Sequence, residues 1–166
     1  MYRSIDDFLE TWESEREATL KILKAMTDAS LSQHVTPDGR SLGRIGWHIV
    51  CTIPEMMAAV GLPIGGPADT APVPLHASEI AEAFDLEART AADALRSSWT
   101  DDTLLAECDM YGEKWKNGFT LEVMLRHQVH HRGQMTVLIR QAGLPVPGIY
   151  GPSREEWAAY GRPAAE

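Results

Sequence analysis

The sequence predicts an all-α protein: a four-helix bundle with a long crossover between helices 2 and 3 and a short C-terminal helix. Three observations carry this expectation. Four segments repeat apolar residues at helical spacing. No segment alternates convincingly as a half-buried strand would. Capping residues and stop signals bracket the helical segments. A chain of 166 residues is long enough for one domain with its own core, and residues 1–166 are read as one such domain.

The first helix is expected from about Ser4 to Ala29. Ser4 followed by Asp7 is a capping-box pattern, and Ile5, Phe8, Leu9, Trp12, Leu20, Leu23 and Met26 supply one buried face. Thr36-Pro37-Asp38-Gly39 then marks a turn. The second helix starts after the N-cap Ser41 and runs to Val60, with Gly61 as its stop. At about 100° per residue, Leu42, Ile45, Ile49, Ile53, Met56 and Val60 share one side, and Pro54 is expected to kink the helix. A Pro-rich crossover follows. The third helix spans about Ser78 to Trp99, with Ile80, Phe84, Leu86, Ala91 and Leu95 facing inward. Residues 100–119 read as irregular. The fourth helix runs from the N-cap Thr120 to Ala142, closed by Gly143 and Pro145. Ser153 and Glu156 form a further capping box that opens the short last helix.

Composition narrows the function. The formal charge is −9, and no dense Lys/Arg cluster exists to neutralise phosphates, which argues against nucleic acid and anionic membrane surfaces. No stretch reaches the length of apolar sequence that spans a bilayer. Met1-Tyr2-Arg3-Ser4-Ile5-Asp6-Asp7 does not resemble a signal peptide. Cys51 and Cys108 form no CxxC pair and are expected as reduced thiols. The expected location is cytoplasmic.

Half of the six histidines lie in His127-Gln128-Val129-His130-His131-Arg132-Gly133-Gln134. Four residues apart on a helix, His127 and His131 share a face with side chains about 6 Å apart. His131 falls inside the apolar stripe of the fourth helix, His127 at about 60° on its edge, and His130 at about 120°, outside it. Two imidazoles on an apolar face are either hydrogen-bonded core groups or a chelating pair, and a metal would satisfy two ring nitrogens at once. His48, about 120° from the apolar line of the second helix, is the best third ligand, although helix phase alone does not place it at the site. His34 and His76 are expected in solvent.

These segments resemble the DinB-like (DinB/YfiT) bundles over nearly the whole chain. The resemblance rests on Asp38-Gly39-Arg40-Ser41-Leu42, Trp47-His48-Ile49, the HxxxHRGQ segment at 127–134, Leu138-Ile139-Arg140-Gln141-Ala142-Gly143-Leu144-Pro145 and Ile149-Tyr150-Gly151-Pro152. It implies that His48, His127 and His131 bind a divalent metal, zinc or nickel. It further implies a metal-dependent enzyme acting on a small-molecule substrate, a thiol-cofactor S-transferase or isomerase using a low-molecular-weight thiol. A metal-dependent hydrolase and a non-catalytic bundle with a structural or vestigial metal stay open. The family's habit, with His130, Trp12 and Trp157 as candidate contacts, implies a homodimer.

Secondary roles also follow from position. Glu55, seven residues after His48, is a candidate base or hydrogen-bond partner of a ligand. Arg132 is expected in a surface salt bridge, or reaching an anionic substrate. Gly133, costly within a helix, suggests a close helix crossing. Tyr111, Trp115 and Tyr150 are candidate pocket-mouth residues, and Cys51 a packed thiol.

Overall fold

The computed structural model of the protein describes residues 2–164. Four α-helices make the body: α1 (Ile5–Lys24), α2 (Leu42–Ala59), α3 (Ala77–Ser98) and α4 (Asn117–Gln141). α1 packs on α3 and α4, and α2 packs on the same two helices, so α1 and α2 lie diagonally across the bundle. The all-α expectation holds, with a hairpin added. β1 (Glu107–Met110) pairs antiparallel with β2 (Glu113–Lys116), Cys108 opposite Trp115. Short 3₁₀ segments occupy Asp28–Ser30, Asp101–Leu105 and Arg154–Tyr160.

Local chemistry accounts for the helix ends. Ser4 Oγ accepts the Asp7 amide at 3.1 Å, and Ser41 Oγ accepts the Arg44 amide at 3.1 Å. The first helix stops at Lys24 because Thr27 caps a separate turn, exchanging hydrogen bonds with Ser30. α3 starts at Ala77 under the N-cap His76, whose ring pairs with Asp28 at 2.9 Å while the Ala77 amide donates to the same carboxylate. His76 is exposed, as is His34. The C-terminal helix forms as 3₁₀ rather than α, and half of its capping box forms: the Ser153 amide donates to Glu156 Oε2 at 3.1 Å, while the Glu156 amide donates to the Ser153 carbonyl rather than its hydroxyl.

Phe8, Trp12, Ile22, Leu23, Ile49, Ile53, Met57, Ile80, Phe84, Leu95 and Leu121 are almost wholly buried. Each such side chain contributes about 1.5–3 kcal/mol of transfer free energy. Trp12 satisfies its indole N–H on the Ala88 carbonyl at 2.9 Å, so it joins α1 to α3 and is unavailable as a subunit contact. α2 is buried around nearly its whole circumference, by α3, α4, β1 and the loops beside it. It continues as one element through Pro54.

Several expectations are corrected. Leu86 is 63% exposed and points away from the core. The close crossing expected at Gly133 is absent: a Cβ there would meet nothing within 4 Å. A close helix-to-helix approach occurs instead at Gly46, where a Cβ would stand 3.3 Å from Leu23 of α1 and 3.4 Å from Ile80 of α3. α4 begins at Asn117, not after Thr120, because β2 leads straight into it. Thr120 is buried inside the helix, its hydroxyl 3.3 Å from Cys108 Sγ. The hairpin escaped notice because its strands are only four residues long. Its tip is Tyr111-Gly112 rather than Asn-Gly, although both φ angles are positive, 56° and 85°, as a tight two-residue turn needs.

Candidate metal centre

α2 and α4 pack together, and this brings the flank of α2 to the inner edge of α4. His48 comes from the middle of α2, and His127 and His131 from successive turns of α4. His48 Nε2 lies 3.2 Å from His127 Nε2, which lies 3.0 Å from His131 Nε2. One ligand atom from each ring lies within 4.8 Å of the other two. All three expected ligands therefore meet. His130 points out to solvent, as helix phase requires.

Neighbouring side chains fix the tautomers of two rings. His48 Nδ1 is 2.8 Å from Asp69 Oδ1 in the crossover. A carboxylate only accepts, so Nδ1 carries the proton and Nε2 a lone pair. The Asp69 carboxyl is held below the usual carboxylate range by the His48 hydrogen bond and by Arg44, whose guanidinium stands 2.5 Å from it. His131 Nδ1 is 2.7 Å from Gln134 Oε1, and the Gln134 amide nitrogen faces His130 Nε2 at 3.2 Å. The amide oxygen accepts from His131, leaving its Nε2 unprotonated. His127 has no such guide: its Nδ1 is buried without a partner among the described residues.

Two lone pairs thus face His127 Nε2, and one N–H can serve only one of them. A cation satisfies all three nitrogens. The observed spacings match the about 3.3 Å edge of a tetrahedron with ligand bonds of about 2.0 Å. Burial and the adjacent rings push the His127 imidazole down to about 4, and burial lowers His131 as well. Both shifts favour the neutral, lone-pair-bearing ring, and the three imidazoles could hold one metal ion.

Two cavities flank the triad. One of 280 Å³ is lined by His48, His127, Thr52, Glu55, Asp69 and Tyr111, among others. The Tyr111 hydroxyl, carried on the hairpin tip, donates to Glu55 at 3.1 Å. The other cavity, of 470 Å³, reaches His131 and Gln134.

Of the secondary expectations, Tyr111 does line the mouth. Trp115 instead packs edge-on against Phe119. Tyr150 bonds Glu15 and Arg132. Arg132 is no surface group: it is 3% exposed, 2.5 Å from Glu15 and 3.0 Å from Thr19 Oγ1. Glu55 does not orient His48; Asp69 does. Sequence reasoning missed Asp69 and Gln134. Gln134 sits three residues after His131, a spacing that could have suggested it. Asp69 lies in an irregular loop and carries no local signal.

The bundle and its inward histidine triad define a known class, and comparison places the chain within it. The model of the DinB family matches residues 1–165. This chain belongs to the DinB family. It is 45% identical over 161 residues to YrdA of Bacillus subtilis, covering 97% of this chain and 96% of that protein. A crystal structure of a DinB-like protein from Bacillus cereus superimposes with a TM-score of 0.87 at 45% identity, over 90% of this chain and all of that one. A second DinB-like protein, from Bacillus subtilis, shares the fold at a TM-score of 0.65 and 18% identity, covering 83% of this chain and 95% of that one.

Proposed function

We propose that this protein is a metal-dependent enzyme acting on a small molecule, of the thiol-cofactor S-transferase or isomerase type. His48, His127 and His131 are the ligands of one divalent ion, zinc or nickel. The observation that carries the reading is a converging three-nitrogen set with no fourth protein ligand in the cluster among the described residues. Three ligands and an adjoining cavity are the pattern of catalytic rather than structural sites. An ion held there supplies a lowered pKa to a coordinated water or thiol.

The chain's own residues favour a thiol brought from outside. Three neutral imidazoles add no negative charge, so the site suits an anion, and a thiolate matches charge and softness. Cys51 does not provide it. Burial pushes its thiol up to about 11, and its S–H is directed at the Ala68 carbonyl at 3.4 Å. A homodimer belongs to the same proposal, with exposed His130 and half-buried Trp157 as candidate contacts.

One observation favours a hydrolytic reading. Glu55 shares the 280 Å³ cavity with His48 and His127, positioned to take a proton from water. Cobalt- or nickel-substituted protein separates the two. A small thiol should shift the ligand-field spectrum, and His48→Ala should abolish the shift. If no thiol moves the spectrum, the thiol reading fails and the hydrolytic one replaces it.

A further inference from the structure

Arg40 stands just before the N-cap of α2, in a chain with 24 acidic against 15 basic residues. Every other arginine from Arg3 to Arg140 is ion-paired with a carboxylate. Arg40 has neither an ion pair nor a hydrogen bond among the described residues. Arg154 and Arg162 near the C-terminus also lack a carboxylate among the described residues, but neither lines a cavity beside the triad. The position of Arg40 makes this informative.

Arg40 lines the 470 Å³ groove that reaches His131 and Gln134, and the remaining walls include Val35, Ile45, Val137 and Leu138. Val35 is 63% exposed and Val137 50% exposed, so the guanidinium lies beside apolar surface that the fold itself leaves uncovered. Arg40 and His131 line the same groove, so the guanidinium and one nitrogen donor of the triad share one space. A cation so close to a triad suited to a dication opposes its filling. Asp69 gives limited relief, being already engaged by Arg44 and His48. An anion in the groove would compensate both charges.

Building on the small-molecule reading of the triad, we infer that this groove is the recognition subsite for a carboxylate. The carboxylate belongs to a small molecule with a short hydrocarbon portion, and Arg40 is the specificity-determining residue. The planar fork of a guanidinium matches a carboxylate by paired hydrogen bonds, and a single unpaired cation matches a single negative charge. The exposed valines take the hydrocarbon. Arg132, buried with Glu15, is not available for this role.

The test compares matched thiols on cobalt-substituted protein: mercaptopropionate against mercaptopropanol, and mercaptohexanoate against mercaptohexanol. At least one acid should bind about tenfold more tightly than its alcohol, the value of one charge-assisted hydrogen-bonded contact. Arg40→Gln should erase that preference, so that acid and alcohol bind alike. Equal binding of acid and alcohol by the unaltered protein, or a preference that survives Arg40→Gln, overturns the subsite and leaves the thiol reading standing. If no thiol perturbs the spectrum, the thiol reading is the one that fails. The subsite is then judged by calorimetry with hexanoate on the metal-free protein: Arg40-dependent binding supports it, and binding that is absent or indifferent to Arg40→Gln overturns it.

Discussion

Asp69 Oδ1 serves two groups at once, the His48 ring at 2.8 Å and the Arg44 guanidinium at 2.5 Å. The carboxylate thereby fixes the tautomer that turns His48 Nε2 inward. Partners of this kind typically govern metal affinity by about 10- to 100-fold. If the triad holds the proposed ion, Asp69→Ala is therefore expected to weaken the affinity for added zinc by about that factor, measured by competition with a chromophoric chelator. Unchanged affinity would show that packing of α2 alone orients His48. His131 needs no comparable loop residue, because Gln134 lies on the same helix at 2.7 Å.

At the scale of elements, α1 and α4 are joined by one buried charged cluster. Arg132 is held by Glu15, Thr19 and Tyr150, and the Glu15 side chain is only 12% exposed. Removing one member of a buried pair leaves the other charge uncompensated, at a cost of about 3–5 kcal/mol. Arg132→Ala should lower unfolding free energy by about that amount in urea, whereas Arg132→Met combined with Glu15→Leu should recover much of it. A single-variant loss below about 1 kcal/mol would show that water reaches the pair freely. The hairpin is the element the sequence concealed. Glu107–Met110 does alternate in burial, but four residues are too few to separate a strand from irregular chain, and Tyr111-Gly112 lacks the usual turn signature. That concealment mattered, since the hairpin tip delivers Tyr111 to the cavity.

For the whole molecule, the core is assembled from all four helices and does not pass through the triad. Metal removal at pH 7 should leave helical circular dichroism largely intact; its collapse on chelation at 25 °C would make the ion a folding requirement. The metal-free protein should also depend on pH in a definite direction. His127 and His131 are held below the ordinary histidine value in the fold, so the unfolded chain binds more protons. Their contribution is fully present above about pH 6.5, where unfolded histidine is neutral. It is lost as pH falls toward about 4, which melting temperatures across that range will show.

The sequence by itself determined what depends on neighbours along the chain. Helical periodicity defined four amphipathic segments, Ser4 and Ser41 announced their starts, and the four-residue spacing of His127 and His131 put two imidazoles on one face. Each of these is set by rotation per residue and by hydrogen bonds within a turn or two. His48 was legible as a ligand through resemblance alone, because its flank of α2 has no meaning until α4 lies against it. Only the tertiary structure decided that Asp69 reaches back across 21 residues to His48, that Arg132 is buried rather than superficial, and that Arg40 is left without a carboxylate beside the site. Those facts arise from the packing of distant segments, where the rotation of each helix about its axis and the path of the crossover are set by the shape of the shared core.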